Sequence, residues 1–216
     1  MKKLSVLTLL IVLAASIFIA VAQTPSEQGI IIFVDPGHGG VDGGASIGEV
    51  KESTLTLQIA KKMKEVFEEN GVHVLLTRET EDDLSEDEFI KKEDMIKRVN
   101  MINTSTACLA ISIHMNKFNI EKYRGAQVFY SQTNELSKLL AERMQFNLKA
   151  YLKNTDRQIV KRDNIFLLNK VTKPCCIVEC GFMSNQQELA LLQSEEYQYK
   201  LAHSLFYGVE DYLKLY

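Results

Sequence analysis

The sequence has no tryptophan, only three prolines and eleven glycines in 216 residues, and no surplus of positive charge. So little glycine and proline excludes a collagen-like repeat. The 25 lysines and arginines stand against 28 aspartates and glutamates, a net charge of −3. A chain without a basic face lacks the electrostatic footprint of a nucleic-acid binder, so none is expected as a partner. Internal repeats, low-complexity tracts and an appended binding module are also missing from the chain. What is there is an ordinary globular composition, 46% apolar and 25% charged. That excludes a disordered chain and a polytopic membrane protein. The length suits one domain with a real core.

The first residues stand apart from that domain. Lys2 and Lys3 precede a 19-residue apolar run, Leu4 to Ala22, which closes on the small-x-small triplet Ala20-Val21-Ala22. The pattern fits a secretory signal peptide, and the run lies at the low edge of what spans a bilayer. Residues 1–23 are therefore expected to be a signal peptide or an N-terminal membrane anchor, and 24–216 the folded domain. Either reading places that domain outside the cytoplasmic membrane. Without the two lysines the remainder carries −5. Four cysteines in an exported chain raise the question of disulfides. Cys175 and Cys176 are adjacent, however, and neighbours bond each other only with strain. All four, with Cys108 and Cys180, sit in apolar, strand-like runs, and are expected to be buried free thiols. Their spacing matches no zinc-finger pattern.

Strands and helices alternate along the rest. Ile30–Asp35 reads as a buried strand stopped by Pro36, and a glycine-rich loop follows to Gly48. Leu55, Ile59, Met63, Val66 and Phe67 recur at helical spacing, with Gly71 placed as a C-terminal stop. Val72–Thr77 predicts a second strand. Glu79–Glu88 holds seven acids in ten residues and reads as a solvated loop. Phe89, Ile96, Val99 and Ile102 suggest a helix. Ala107–Ile113 and Gly125–Tyr130 suggest strands. Leu136, Leu140, Leu148 and Tyr151 suggest a third helix. Asn164–Leu168 and Cys175–Glu179 are read as strands, and Tyr197, Leu201, Leu205, Val209 and Tyr212 as a closing amphipathic helix. The alternation predicts a single α/β domain, with a mostly parallel central sheet of about six strands and helices on both faces.

Chemistry collects at the carboxyl ends of these strands, where α/β sheets bind ligands. Asp35-Pro36-Gly37-His38-Gly39-Gly40 follows the first strand, and Glu52 opens the first helix. Ser112-Ile113-His114-Met115-Asn116 closes the third strand, and Glu179-Cys180-Gly181-Phe182 the last. Two histidines and two glutamates at one sheet edge suit a catalytic zinc site of three ligands plus one acid/base. Singly, each has a plainer reading. His38 caps a turn, His114 is a satisfied strand-end histidine, and Glu52 is a first-turn acid favoured by the helix dipole. Glu179 is harder to set aside, because a carboxylate ending a buried strand needs a partner or a task. His73 and His203 read as structural or exposed. Gly37-His38-Gly39 does not complete a dinucleotide fingerprint, since Asp42 stands at the third glycine, and no phosphate-loop lysine follows.

In order along the chain, Val34–Ala45 (VDPGHGGVDGGA), Glu52, Ser112–Asn116 (SIHMN) and Val178–Glu188 (VECGFMSNQQE) resemble the zinc-dependent N-acetylmuramoyl-L-alanine amidases of bacterial cell walls. Thr77-Arg78 and Arg98…Asn103 match further family positions, and the likeness spans nearly all of 30–213. It is most similar to the germination-specific branch of endospore formers. The resemblance implies His38, Glu52 and His114 as ligands of Zn²⁺, Glu179 as the catalytic glutamate and Asn116 as a substrate contact. It implies peptidoglycan as substrate, cut at the amide between the lactyl group of N-acetylmuramic acid and L-alanine. In the spore branch that step prepares cortex muramic acid for lactam formation. Met115 and the three cysteines of the last strand depart from the family's usual small or aliphatic residues. With no wall-binding repeat in the sequence, targeting falls to the N-terminal anchor or to an activating or targeting partner protein. Another zinc peptidase of wall peptides, or a non-catalytic wall-binding protein, would share the same constellation.

Overall fold

The computed structural model describes residues 29–85 and 88–215. The expected leader at 1–23, and Glu86 and Asp87 of the acidic loop, lie outside the described residues. Among those described, no helix is long and apolar enough to cross a membrane.

Six strands form one sheet. In chain order they are β1 (Ile31–Pro36), β4 (His73–Leu76), β5 (Ala110–Asn116), β6 (Gln127–Tyr130), β7 (Val160–Lys161) and β8 (Cys175–Phe182). The spatial order is β4-β1-β5-β8-β6-β7. All neighbours run parallel except β6 against β8. Two further strands, β2 (Ser46–Ile47) and β3 (Val50–Lys51), make a small hairpin inside the glycine-rich loop. The helices are α1 (Glu52–Glu69), α2 (Lys91–Thr104), α3 (Glu135–Leu152), α4 (Phe166–Lys170), α5 (Gln186–Gln193) and α6 (Glu195–Leu213).

Alternation along the strands splits the core into two layers. Ile32, Val34, Ile111, Ile113, Cys176, Val178 and Cys180 face one side, against Leu55, Ile59 and Met63 of α1, Leu140 and Met144 of α3, and Leu201 and Leu205 of α6. Phe33, Ala110, Cys175 and Ile177 face the other, against Val99 and Ile102 of α2 and Leu167 and Leu168 of α4. Each such fully buried aliphatic side chain contributes about 1.5–3 kcal/mol relative to exposure. Both faces are covered, which is why the strands read as continuous apolar runs. The expected α/β sheet with helices on both faces is therefore the observed fold.

Local chemistry sets the helix ends. Asn70 ends α1, and Gly71 follows it at φ +78°, a left-handed position that glycine takes without a Cβ clash. Asn134 and Asn185 cap α3 and α5 by accepting the backbone N–H groups of Leu136 and Glu188.

Two expectations need correction. Asn164–Leu168 is not a strand. Its apolar residues begin the one-and-a-half-turn helix α4, closed by Asn169 and Val171 N–H donating to the Ile165 and Leu167 carbonyls. Five residues are too few to separate a period of 2 from one of 3.6. The neighbouring strand is instead Val160–Lys161, and α5 lies in a stretch that the apolar spacing left unassigned. Cys108 is exposed, because it precedes β5 rather than lying in it, while Cys175, Cys176 and Cys180 are buried and free. His73 and His203 are exposed and away from the site.

Burial pushes the thiols of Cys175, Cys176 and Cys180 well above their ordinary range, which suppresses the reactive thiolate. A thiol reagent added to the folded protein should therefore label Cys108 alone within the fast phase, and all four only after denaturation. Fast labelling of Cys175 or Cys176, read by peptide mass mapping, would contradict this packing.

Candidate metal centre

Three chain segments bring the ligand-type side chains together. β1 ends in the loop that carries His38, α1 opens at Glu52, and β5 carries His114 near its end. His38 Nε2 lies 3.2 Å from Glu52 Oε1, and His114 Nδ1 lies 3.1 Å from the same oxygen. The two rings meet edge to face, with centroids 4.9 Å apart. Glu52 is itself fixed, accepting Met115 N–H at Oε1 (2.9 Å) and Ala45 N–H at Oε2 (2.8 Å). Burial raises the Glu52 pKa, but hydrogen bonds and charge from His114 and His38 outweigh it and hold the carboxyl well below its usual range. The same contact raises the His114 pKa against the opposing effect of burial.

This geometry fits a divalent metal ion. The ligand atoms of His38, Glu52 and His114 all lie within 4.8 Å of one another. Two imidazole nitrogens and one carboxylate oxygen converge, a donor set of borderline character. In tetrahedral coordination with bonds of about 2.0–2.1 Å, ligand atoms sit about 3.3 Å apart, close to the two imidazole–carboxylate spacings here. Asp42 Oδ2 stands 3.1 Å from His38 Nδ1, behind the ring, where an outer carboxylate orients a metal-binding imidazole.

Glu179 completes the edge. In register it lies beside His114 across the β5–β8 pair. Its Oε2 is buried without a hydrogen-bond partner. Burial pushes the carboxyl up to about 7, against the pull of His114. His38, His114 and Glu179 all line a cleft of about 290 Å³. Asp35 and Ser112 floor it, Asp94, Met95 and Arg98 of α2 form one wall, and Ile165, Leu167 and Ile177 give it an apolar side. Asn116 sits beyond an irregularity in the β5–β8 register and does not line that cleft; its carbonyl accepts Met183 N–H. Cys180 points to the opposite face of the sheet, away from the ligands.

The loop bearing His38 is held by residues whose roles the sequence did not reveal. His38 is at φ +62°, a left-handed conformation for a non-glycine residue, which costs on the order of 1–3 kcal/mol. Two buried arginines hold it there. Arg98 donates to the carbonyls of Pro36 (2.8 Å) and His38 (2.6 Å). Arg78 donates to those of Pro36, Gly37 and Ser53. Gly37 has no room for a side chain, because a Cβ there would stand 2.3 Å from His114 Cε1. Arg98 is anchored in turn by Asp35 and Asp94, both at 2.7 Å. Asp35 also accepts Thr77 and Ser112 hydroxyls. Matching Arg78 and Arg98 to a family pattern marks them as present; only their spacing in three dimensions shows what they hold.

Burial raises the Asp35 pKa, but the Arg98 charge and the Ser112 and Thr77 hydroxyls outweigh it and hold it below its ordinary 3.8. A depressed folded-state pKa gives stability that is present above the unfolded value and lost as pH falls through the folded one. Wild type and Asp35→Asn should thus differ by about 3–5 kcal/mol in unfolding free energy near neutrality. The gap should stay level down to about pH 4 and close only below it, as read by urea unfolding. A gap unchanged through the acid range would show that charge is not what Asp35 contributes.

The N-acetylmuramoyl-L-alanine amidase family profile matches residues 32–211. The chain is 40% identical to the germination-specific N-acetylmuramoyl-L-alanine amidase of Bacillus subtilis, over 86% of this chain and 80% of that protein. The structure of the CwlD amidase from Clostridioides difficile, in complex with the GerS lipoprotein, superposes with a TM-score of 0.82. That match has 36% identity and covers 87% of this chain and 100% of the other. An N-acetylmuramoyl-L-alanine amidase from Clostridium difficile 630 gives 0.78 at 30% identity, over 87% and 98%.

Proposed function

We propose that this chain, which belongs to the N-acetylmuramoyl-L-alanine amidase family, is a zinc hydrolase that cuts peptidoglycan between the lactyl group of N-acetylmuramic acid and the L-alanine of the stem peptide. The reading is carried by one observation. The imidazoles of His38 and His114 converge on Glu52 Oε1, with a buried, unpartnered Glu179 oxygen on the neighbouring strand. His38, Glu52 and His114 would hold Zn²⁺. Bound there, the ion supplies Lewis-acid chemistry, activating water and polarising the amide carbonyl.

Glu179 acts as the general base and acid. Its carboxylate takes a proton from the attacking water as oxygen bonds to the carbonyl carbon. It then delivers that proton to the leaving amine as the C–N bond breaks. Asp42 orients the His38 ring, and the Arg78–Arg98 clamp keeps the loop in place. Asn116, half-buried two residues beyond His114, is the proposed further substrate contact. The apolar side of the cleft, Ile165, Leu167 and Ile177, suits the methyl groups flanking the scissile amide. We further assign the activity to spore-cortex maturation and germination, outside the cytoplasmic membrane. Residues 1–23 then serve as signal or anchor, and a partner protein assists. The similarity to the Bacillus subtilis germination-specific enzyme, and to an amidase solved with a lipoprotein, supports this assignment.

Mass spectrometry of peptidoglycan digested with the purified protein and Zn²⁺ tests the reading. Wild type should release intact stem peptides beginning with L-alanine and leave glycans bearing free lactyl groups. Glu179→Gln should keep its zinc and lose on the order of 10²–10⁴ in rate. His114→Ala should lose both metal, by elemental analysis, and activity. Release of single terminal amino acids would instead make the protein a carboxypeptidase, and full activity in Glu179→Gln would remove that residue from the mechanism.

A further inference from the structure

We propose that Arg157 binds a free carboxylate of the stem peptide, presented to it beside Glu179. The proposal rests on the amidase reading above and names the part of the substrate that the site recognises.

Position comes from the sheet register. Gln127 opens β6 directly opposite Glu179 on β8, so the two side chains share one face. Gln127 Oε1 accepts a hydrogen bond from Arg157 Nη1 at 3.1 Å. The guanidinium is thus one side chain removed from the proposed acid/base. Its orientation is fixed on two further sides. Nε donates to the Arg124 carbonyl at 2.7 Å, and Cζ lies 4.6 Å from the centroid of the Phe182 ring. Phe182 is buried, three residues beyond Glu179, and stacks in turn on Tyr123. The Arg157 backbone is held as well, its N–H donating to the Thr155 hydroxyl, which itself donates to Ala126.

A guanidinium so fixed still has capacity for a ligand. Of its five N–H donors, one at Nε and one at Nη1 are used; the other three have no partner among the described residues. The carboxylate facing it from α5 is Glu188, and both Glu188 oxygens accept backbone N–H groups, those of Gly125 and Phe182 at 2.8 Å. No carboxylate lies within ion-pair distance of Arg157 among the described residues. The side chain is only half-buried, so a ligand can reach it.

The chemistry of the ligand follows from the fork. A planar pair of N–H donors matches a carboxylate in bidentate fashion, and a pre-ordered side chain loses little entropy in binding it. The muramic acid carboxyl is already the acyl half of the scissile amide. In the uncleaved substrate, free carboxylates therefore lie on the peptide.

Two synthetic muramyl peptides test this, one with a free carboxylate on the residue after L-alanine and one with that group as carboxamide. Wild type should favour the acid by roughly 10- to 100-fold in kcat/KM, the range for a hydrogen bond to a charged group. Arg157→Gln should bring the acid down to the level of the amide, mainly through KM, and leave the amide unchanged. Arg157→Lys, which keeps charge and aliphatic stem but not the fork, should retain part of the preference. Equal losses on both substrates would show a merely structural role and overturn the proposal. So would a wild type that cleaves both equally. A wild type that cleaves neither overturns the amidase reading itself, and this inference with it.

Discussion

The buried pair between Asp35 and Arg98 is the contact on which the metal centre depends. Each side chain is 2% exposed, and their 2.7 Å contact joins the end of β1 to α2. Taking two charges out of water costs several kcal/mol each, and a pair is tolerable only when the remaining donors and acceptors are filled. Here they are. Asp35 takes two hydroxyls, and Arg98 distributes its donors over Asp94 and two carbonyls of the ligand loop. In a low-dielectric interior, such a network is stiff because breaking any one bond strands a charge. The left-handed conformation of His38 persists because this frame over-determines it.

The sheet supplies the second constraint. Side-chain alternation assigns each strand residue to one face without choice. Asp35, Ser112 and Ile177 lie in register across β1, β5 and β8, and His114 and Glu179 lie in the next such row. The polar chemistry thus falls on the face covered by α2 and the short α4, where the cleft opens. The opposite parity is filled by Ile113, Val178 and Cys180 under α1, α3 and α6. One residue of slip in β8 would exchange Glu179 for an apolar neighbour. Cys176 and Cys180 lie on that opposite face, while Cys175 shares the parity of Ile177 and packs in the layer under α2 and α4.

Much of this was legible in sequence because it is local. Continuous β-branched runs mark strands buried on both faces, and four-residue spacing marks α1 and α6. His38, Glu52, His114 and Glu179 stand out as hydrogen-bonding groups placed where apolar runs stop. The misreadings are short or context-bound. α4 is too brief for its period to declare itself, and Cys108 looks buried because its neighbours are apolar although the strand begins two residues later.

By itself, the sequence determined which residues are able to do the chemistry and that they gather at the carboxyl edge of a parallel sheet. It determined this because side-chain pattern and chain order suffice to build such a sheet. Only the tertiary structure decided the arrangement that makes a site. It set one Glu52 oxygen between two imidazoles, one from the loop after β1 and one from β5, and Arg78 and Arg98 on the carbonyls of the His38 loop. It also placed Arg157 on Phe182, at Gln127, beside Glu179. Those contacts join residues from 14 to more than 60 positions apart. Their geometry comes from packing, whose short-range contact energies depend on spatial neighbours that no linear pattern encodes.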